Sequence, residues 1–117
     1  MDSKRGMGTR ALHSDPHDRP KRAHVAPIFQ TSSFGFDDAE QGARIFGGQE
    51  KGYIYTRIGN PTVEALEAVL ANLESAERAV AFSSGLAAIS AALMTHCRAG
   101  DHVIASGAMY GPSVKIV

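Results

Sequence analysis

The spacing of apolar and polar residues divides the first third of the chain into an arm and an extended segment. Residues 1–26 are polar and have no sustained period, which predicts an extended arm, although Gly8 to His13 could form one helical turn. Aromatic and β-branched residues, interrupted by Gly35, follow over 27–36. This composition predicts a second extended segment that packs across another surface.

Two helices are predicted next. An aspartate at 37 or 38 caps a helix that continues to about Phe46, where paired glycines end it. A longer helix begins at Asn60-Pro61, an N-cap followed by proline at the first helical position, and continues to about Ser75. Its apolar positions recur at helical spacing and mark its apolar face, which comprises Val63, Leu66, Val69, Leu70 and Leu73. The glutamates between them are most simply its solvated side.

Residues 79–94 read as a buried strand, a turn of small residues and a helix. The apolar run at 80–82 is too short for a helix, and Ser83-Ser84-Gly85 ends it. Apolar residues then recur at helical spacing among alanines. A second short strand is predicted over 102–106, followed by a turn that carries Tyr110. Strand, helix, strand and helix in this order predict an α/β fold with parallel strands and right-handed crossovers.

The turn at Ser84 falls at a helix N-terminus, where the first N–H groups have no partner inside the helix. These groups, with the helix dipole, favour a phosphate or a carboxylate. The alternative is a plain connection between strand and helix with Ser84 as the N-cap. Ser-Ser-Gly is a weak motif, so the stretch alone leaves both interpretations open.

The segment from Gly52 to Thr62 carries the second candidate for anion binding. At the period of an extended strand, Tyr55 and Arg57 share one side. A phenol and a planar guanidinium pointing the same way suit a phosphate or carboxylate. The alternative is an exposed arginine that shields a half-buried tyrosine.

Tyr110 is the third candidate, since small neighbours leave its ring exposed. Ligands of parallel α/β sheets bind beyond the carboxyl ends of the strands, and the turns with Ser84 and Tyr110 both lie at that edge. An aromatic ring and a helix N-terminus could therefore face one flat, phosphorylated ligand. Pro112 is placed to begin another helix.

Composition adds few constraints. The 117 residues are 44% hydrophobic and 21% charged, which is typical of a globular domain. Twelve basic and twelve acidic residues balance, so nothing favours nucleic acid or a membrane surface as a partner. No apolar run approaches the roughly 20 residues that span a bilayer, and the polar N-terminus lacks a signal peptide's apolar core, so a cytoplasmic location is expected. The single cysteine excludes an internal disulfide framework.

Taken together, three motifs resemble those of the Cys/Met-metabolism family of pyridoxal-phosphate enzymes. They are Tyr55-x-Arg57-x-x-Asn60-Pro61-Thr62, the Ser83-Ser84-Gly85-Leu86 turn and the Tyr110-Gly111 turn. The family includes cystathionine synthases and lyases, methionine γ-lyase and acyl-homoserine sulfhydrylases. The resemblance extends from about Gly8 to the end of the chain. It implies the α/β fold of fold-type I transferases, with residues 1–60 as an N-terminal arm that clamps a dimer and 61–117 as the start of the cofactor domain.

The resemblance also implies a role for each motif, with pyridoxal 5′-phosphate as cofactor and no metal. Ser84, Gly85 and Leu86 match the turn whose backbone amides hold the cofactor phosphate in the same subunit. Tyr110 matches the tyrosine that stacks on the pyridine ring and assists proton transfers. Tyr55 and Arg57 match the pair that reaches across a dimer interface to the phosphate of the neighbouring subunit's cofactor. The implied partners are a small amino-acid substrate and copies of the same chain, as a dimer that shares active sites and as a tetramer.

The implied reaction is elimination or replacement at the γ or β carbon of a sulfur amino acid such as cystathionine, methionine or activated homoserine. Pro112 departs from the pattern, since many members have Gly there and methionine γ-lyases have Cys. In this family the lysine that holds the cofactor lies well past residue 117, and Lys115 is expected to be an ordinary surface lysine. The alternatives are a catalytically inert fragment that acts as an oligomerisation or binding module, and a generic phosphate- or nucleotide-binding module.

Overall fold

A computed structural model describes residues 5–13 and 23–117. By their contacts the residues form two compact units, Met1–Ala79 and Val80–Val117. The described helices are α1 Met7–His13, α2 Ala39–Phe46, α3 Pro61–Leu73, α4 Gly85–His96 and α5 Gly111–Val114. None of these helices is long and apolar enough to cross a bilayer. The predicted division of the chain at residue 60 into an arm and a cofactor domain stays a prediction.

Helix α2 begins and ends as the sequence predicts. The Asp38 carboxylate accepts a hydrogen bond from the Gln41 amide at 2.6 Å, which satisfies one of the free donors of the first turn. At the other end, the Gly47 amide donates to the Ala43 carbonyl at 2.9 Å. Gly48 then adopts a positive φ of 69°, a backbone conformation that glycine takes without a steric penalty and that turns the chain out of the helix.

Helix α3 also has the predicted start, with Asn60 as N-cap and Pro61 as its first residue. It ends at Leu73, two residues before the predicted end at Ser75. Ser75 has a φ of 55°, so the backbone there has already left the helical region.

The apolar face of α3 is partly covered. The buried residues of the helix are Ala65 and Ala71, at 7% and 8% exposure, and Val69 and Leu73 are half-buried, whereas Leu66 and Leu70 are 52% and 42% exposed. The glutamates are not all solvated either, because Glu64 is half-buried and accepts a hydrogen bond from the Tyr53 hydroxyl at 2.7 Å.

The arm is more ordered near its start than predicted. In place of an extended strand with a possible single turn, residues 7–13 form α1, which packs against α3. The Arg10 guanidinium donates to the Leu73 carbonyl at 3.0 Å. A cation at the C-terminal end of a helix complements its dipole, so this bond favours the docked position of α1. The remainder of the predicted arm, over 14–22, lies outside the described residues.

The two extended segments of the first unit pair with each other. Ser33 and Tyr55 form an isolated antiparallel bridge, and the Phe34 amide donates to the Ile54 carbonyl at 3.1 Å. The rings of Phe34 and Tyr53 lie 5.2 Å apart, between centroids. The prediction of an extended, packing segment over 27–36 therefore agrees with the structure.

In the second unit, α4 is present as predicted, but the two expected strands are not formed within the described chain. Residues 80–82 and 102–106 have no regular secondary structure, and Val80 and Ile104 are exposed. A strand exists only where a neighbouring segment supplies ladder hydrogen bonds, and a local apolar run does not provide that neighbour. Helix α5, which begins just after Tyr110, packs against α4.

An ion pair next to α2 yields a test of the first unit. The Arg44 guanidinium donates to the Glu50 carboxylate at 2.8 Å, and the side-chain amide of Gln41 donates to the same carboxylate at 3.1 Å. Both bonds hold the pKa of Glu50 below its ordinary value, and the bond from Arg44 has the larger effect. Their stabilising contribution is therefore present at neutral pH and is lost as the pH falls through the lowered pKa.

We expect Arg44→Gln to raise the pKa of Glu50 toward its ordinary value, measured from the side-chain carboxyl ¹³C shift during an acid titration. Arg98→Gln is the matched control, because it removes one positive charge that does not contribute to the Glu50 shift. An unchanged Glu50 pKa in Arg44→Gln would show that the ion pair does not form in solution.

Candidate functional site

A tight turn places the first pair of candidate residues together. The Tyr55 carbonyl accepts hydrogen bonds from the amides of Ile58 at 2.8 Å and Gly59 at 3.1 Å. The chain therefore reverses directly after Tyr55, and the extended conformation predicted for the whole segment ends there. The turn nevertheless carries the Arg57 guanidinium back over the Tyr55 ring, 5.6 Å from its centroid. The predicted proximity is present, and the attraction of a cation to an aromatic face supports it.

The Tyr55–Arg57 pair is accessible to a ligand. Tyr55 is 43% exposed and Arg57 is also exposed. Arg57 forms no ion pair with any carboxylate of the described residues. Both side chains line an open cleft of about 630 Å³, which is completed by Phe29, Gln30, Thr31, Ser32 and Thr56. The position of Arg57 over the Tyr55 ring fits the alternative, an arginine that shields a tyrosine. The lack of a carboxylate partner for Arg57 among the described residues favours an anion as its ligand.

The side chain of Asn60 is hydrogen-bonded to this turn. Its side chain is buried, with 4% exposed, and its Nδ2 donates to the Phe29 carbonyl and to Thr56 Oγ1, both at 3.0 Å. Its Oδ1 accepts from the Thr62 amide at 2.8 Å, which caps α3. The sequence predicted the cap and missed the two donated bonds, because their acceptors are set by tertiary structure. The one signal available was the choice of asparagine over aspartate, since only the amide can donate.

Two threonines complete the connections around Asn60. Thr62 Oγ1 accepts from the Phe29 amide at 2.9 Å and donates to the Pro27 carbonyl at 3.4 Å. The Thr56 hydroxyl donates to the Thr31 carbonyl. The start of α3, the 27–34 segment and the turn are thus joined by side-chain hydrogen bonds.

The second candidate, at the start of α4, combines a cap with free donors. Ser84 is the N-cap, and its Oγ accepts from the Ala87 amide at 3.2 Å. The Ala88 amide donates to the Ser84 carbonyl at 3.1 Å. The amides of Gly85 and Leu86 have no acceptor in the described part of the chain. The interpretation of Ser84 as the N-cap is confirmed. Two amides remain available at the positive end of the helix dipole, so the anion site stays a prediction.

No acidic residue lies in the first turn of α4, so no nearby carboxylate of that turn competes for the two amides. Tyr110 belongs to the same compact unit as this turn and is 70% exposed. It precedes α5, whose Ser113 amide donates to the Tyr110 carbonyl at 2.8 Å, and Pro112 lies in the first turn as predicted. The backbone position of Tyr110 is thereby fixed while its ring remains open to a ligand.

Comparison with known proteins identifies the family. The family model for Cys/Met metabolism PLP-dependent enzymes matches residues 8–117. An L-methionine gamma-lyase of Fusobacterium nucleatum subsp. polymorphum is 50% identical over 112 residues, which are 95% of this chain and 28% of the relative. An O-acetyl-L-homoserine sulfhydrylase of Corynebacterium glutamicum is 43% identical over 107 residues, which are 91% of this chain and 24% of the relative. The chain thus spans roughly a quarter of the length of these relatives.

Solved structures agree. The structure described as an O-acetylhomoserine (thiol)-lyase from Campylobacter jejuni, with a pyridoxyl-lysine phosphate group, matches at a TM-score of 0.84 and 34% identity, covering 96% of this chain and 28% of that one. MetB from Corynebacterium glutamicum matches at a TM-score of 0.68 and 34% identity, covering 84% and 24%. These matches confirm the family resemblance, the fold-type I architecture and a family cofactor of pyridoxal phosphate. The chain belongs to the Cys/Met metabolism family of PLP-dependent enzymes.

Proposed function

We propose that the chain is the N-terminal part of a pyridoxal-phosphate enzyme that eliminates or replaces the sulfur or oxygen substituent at the γ or β carbon of an amino acid such as methionine, cystathionine or activated homoserine. The observation that carries the proposal is the start of α4, where the amides of Gly85 and Leu86 lack an acceptor within the described chain. This is the turn that the family resemblance assigns to the cofactor phosphate. The relatives, which include methionine gamma-lyases, an O-acetyl-L-homoserine sulfhydrylase and a homocysteine synthase, support the reaction class.

The candidate donors suit a phosphate dianion. Two free amides and the helix dipole of one subunit would hold it on one side, and the Arg57 guanidinium with the Tyr55 hydroxyl of a neighbouring subunit would hold it on the other. When bound, the cofactor supplies the electron sink for carbanion chemistry. The exposed ring of Tyr110 would stack on the pyridine ring, and its hydroxyl would assist proton transfers.

We assign Tyr55 and Arg57 to the cofactor of a neighbouring subunit, as the resemblance implies. Their exposure and the lack of an ion pair to Arg57 among the described residues support this assignment, since a pair serving another chain must face outward. The active form would then be a dimer with shared sites, or a tetramer of such dimers. A cytoplasmic location and a cofactor-holding lysine past residue 117 stay predictions.

The reaction class is tested with the complete protein as its gene encodes it, loaded with pyridoxal phosphate. We expect either a 2-oxo acid, ammonia and a thiol to be released from methionine or cystathionine, or sulfide to replace the acetoxy group of O-acetylhomoserine with release of acetate. Each product is measured separately, so elimination and replacement are distinguished. No turnover of any of these substrates by a protein that binds the cofactor would contradict the proposed reaction class and favour an inert binding module.

Arg57→Met tests the guanidinium side of the phosphate site. We expect it to weaken binding of pyridoxine 5′-phosphate by roughly tenfold to a hundredfold, because a hydrogen bond to a charged group contributes about 1.5–3 kcal/mol. Binding is measured by calorimetry on the cofactor-free complete protein. Pyridoxine phosphate lacks the aldehyde, so it cannot react with surface lysines.

Pyridoxine without the phosphate is the control ligand for this variant. Its affinity should be unchanged in Arg57→Met, since the guanidinium is proposed to contact only the phosphate. Equal affinity of the variant and the wild-type protein for the phosphorylated ligand would exclude Arg57 from the phosphate site.

Gly85→Pro tests the amide side. Proline lacks the N–H but is favoured at the first helical position, and the extended backbone of Ser84, with φ −156° and ψ 157°, is compatible with a following proline. We therefore expect α4 to form with unchanged thermal stability, while binding of pyridoxine phosphate weakens by roughly tenfold, in line with the loss of one charge-assisted hydrogen bond.

Gly85→Ala is the matched control for the proline variant. It keeps the N–H, and a Cβ at this position meets no atom within 4 Å. Its affinity for the phosphorylated ligand should match that of the wild-type protein. A proline variant that binds as well as the alanine variant would exclude the Gly85 amide from the phosphate site.

A further inference from the structure

We propose that Asn60 is a positioning residue for phosphate binding, acting through the turn that carries Tyr55 and Arg57 without touching the ligand. The inference rests on the proposed function, since it deepens the account of the same site. It starts from the hydrogen bonds of a buried amide that the helix cap alone does not require.

The cap uses only one of the bonding groups of Asn60. Its Oδ1 accepts from the Thr62 amide, a task that aspartate performs about equally well at an N-cap. The amide nitrogen has a separate role, because it donates to the Phe29 carbonyl and to Thr56 Oγ1. These two bonds need the side-chain amide of asparagine, because the carboxylate of aspartate has no proton to donate.

One bond of the Asn60 amide nitrogen fixes Thr56, the residue between Tyr55 and Arg57. Thr56 lies between Tyr55 and Arg57, and its hydroxyl accepts from Asn60 and donates to the Thr31 carbonyl. The Thr56 amide donates to the Ser32 carbonyl at 2.9 Å. Because the hydroxyl proton is committed to Thr31, Thr56 can only accept from Asn60, and the chain of bonds has one direction.

The other bond from the nitrogen acts on the opposite wall of the same cleft. Phe29, which receives the second proton of the amide, lines the cleft together with Thr31 and Tyr55. One buried side chain thus joins both walls to the start of α3. A turn held in this way presents the Tyr55 and Arg57 side chains already ordered, so less conformational freedom is lost when an anion binds.

Asn60→Asp separates the two roles of the residue. It is nearly isosteric and retains the cap of α3, but it removes both donated protons. The measured quantity is the ratio of affinities for pyridoxine 5′-phosphate and pyridoxine in the cofactor-free complete protein. We expect this ratio to fall by roughly threefold to tenfold. Binding of the phosphorylated ligand must then also order a loosened turn, whereas binding of pyridoxine does not.

Combination with Arg57→Met shows whether Asn60 acts through the turn. If it does, Asn60→Asp causes a smaller further fall in the ratio once the guanidinium is gone, because only Tyr55 then remains for the turn to position. A fall of the same size in both backgrounds, or an equal loss of affinity for both ligands, would overturn the proposal in favour of a merely structural role. The proposal would also be overturned if Asn60→Asp left the affinity ratio unchanged while Arg57→Met lowered it. If Arg57→Met itself leaves the ratio unchanged, the proposed function of the pair fails.

A second pair of variants avoids the buried position in case Asn60→Asp does not fold. Thr56 is exposed, and Thr56→Val removes the hydroxyl through which Asn60 reaches the turn. We expect the same selective fall in the affinity ratio, and Thr56→Ser, which keeps the hydroxyl, should restore it. A ratio in Thr56→Val equal to that of the wild-type protein would also overturn the proposal.

Discussion

The side-chain amide of Asn60 is the interaction on which the first unit most depends. It begins α3, fastens the segment at Phe29 and fixes Thr56 in the turn, all from a position that is 4% exposed. Buried polar groups are costly unless paired, and the three bonds of this amide satisfy both of its protons and its oxygen. The backbone of the turn is also held by the Ser33–Tyr55 bridge and by the bonds to the Tyr55 carbonyl, and the Asn60 amide adds a side-chain bond to Thr56.

Each unit leaves strong donors without a protein acceptor. In the first unit this is the guanidinium of Arg57, and in the second it is the amides of Gly85 and Leu86, within the part of the chain that the structure describes. Exposure makes both arrangements tolerable, because water can satisfy the donors in the absence of a ligand. The ring of Tyr110 is also on the surface, with 70% of the residue exposed.

Local chemistry was predictable from the sequence, and tertiary pairing was not. Asp38, Asn60 and Ser84 are caps in the structure because a short polar side chain and the first free amides interact within three residues. Helical periodicity showed which apolar residues of α3 align, and it could not show how far a neighbour covers each of them. The strands expected at 80–82 and 102–106 failed for a related reason, as their partners are not local. The Tyr55–Arg57 proximity was predicted through an extended segment and is produced by a turn.

The proposed arrangement is a phosphate site whose two sides come from different subunits. A hybrid dimer of an Arg57→Met subunit and a Gly85→Pro subunit, isolated with two affinity tags, tests it most directly. If the sites are shared, one site of the hybrid has both Arg57 and the Gly85 amide intact, and the other site has neither. We expect one site per hybrid dimer that binds pyridoxine 5′-phosphate with wild-type affinity, and no such site in either parent dimer. Two weakened sites and no tight one would contradict it.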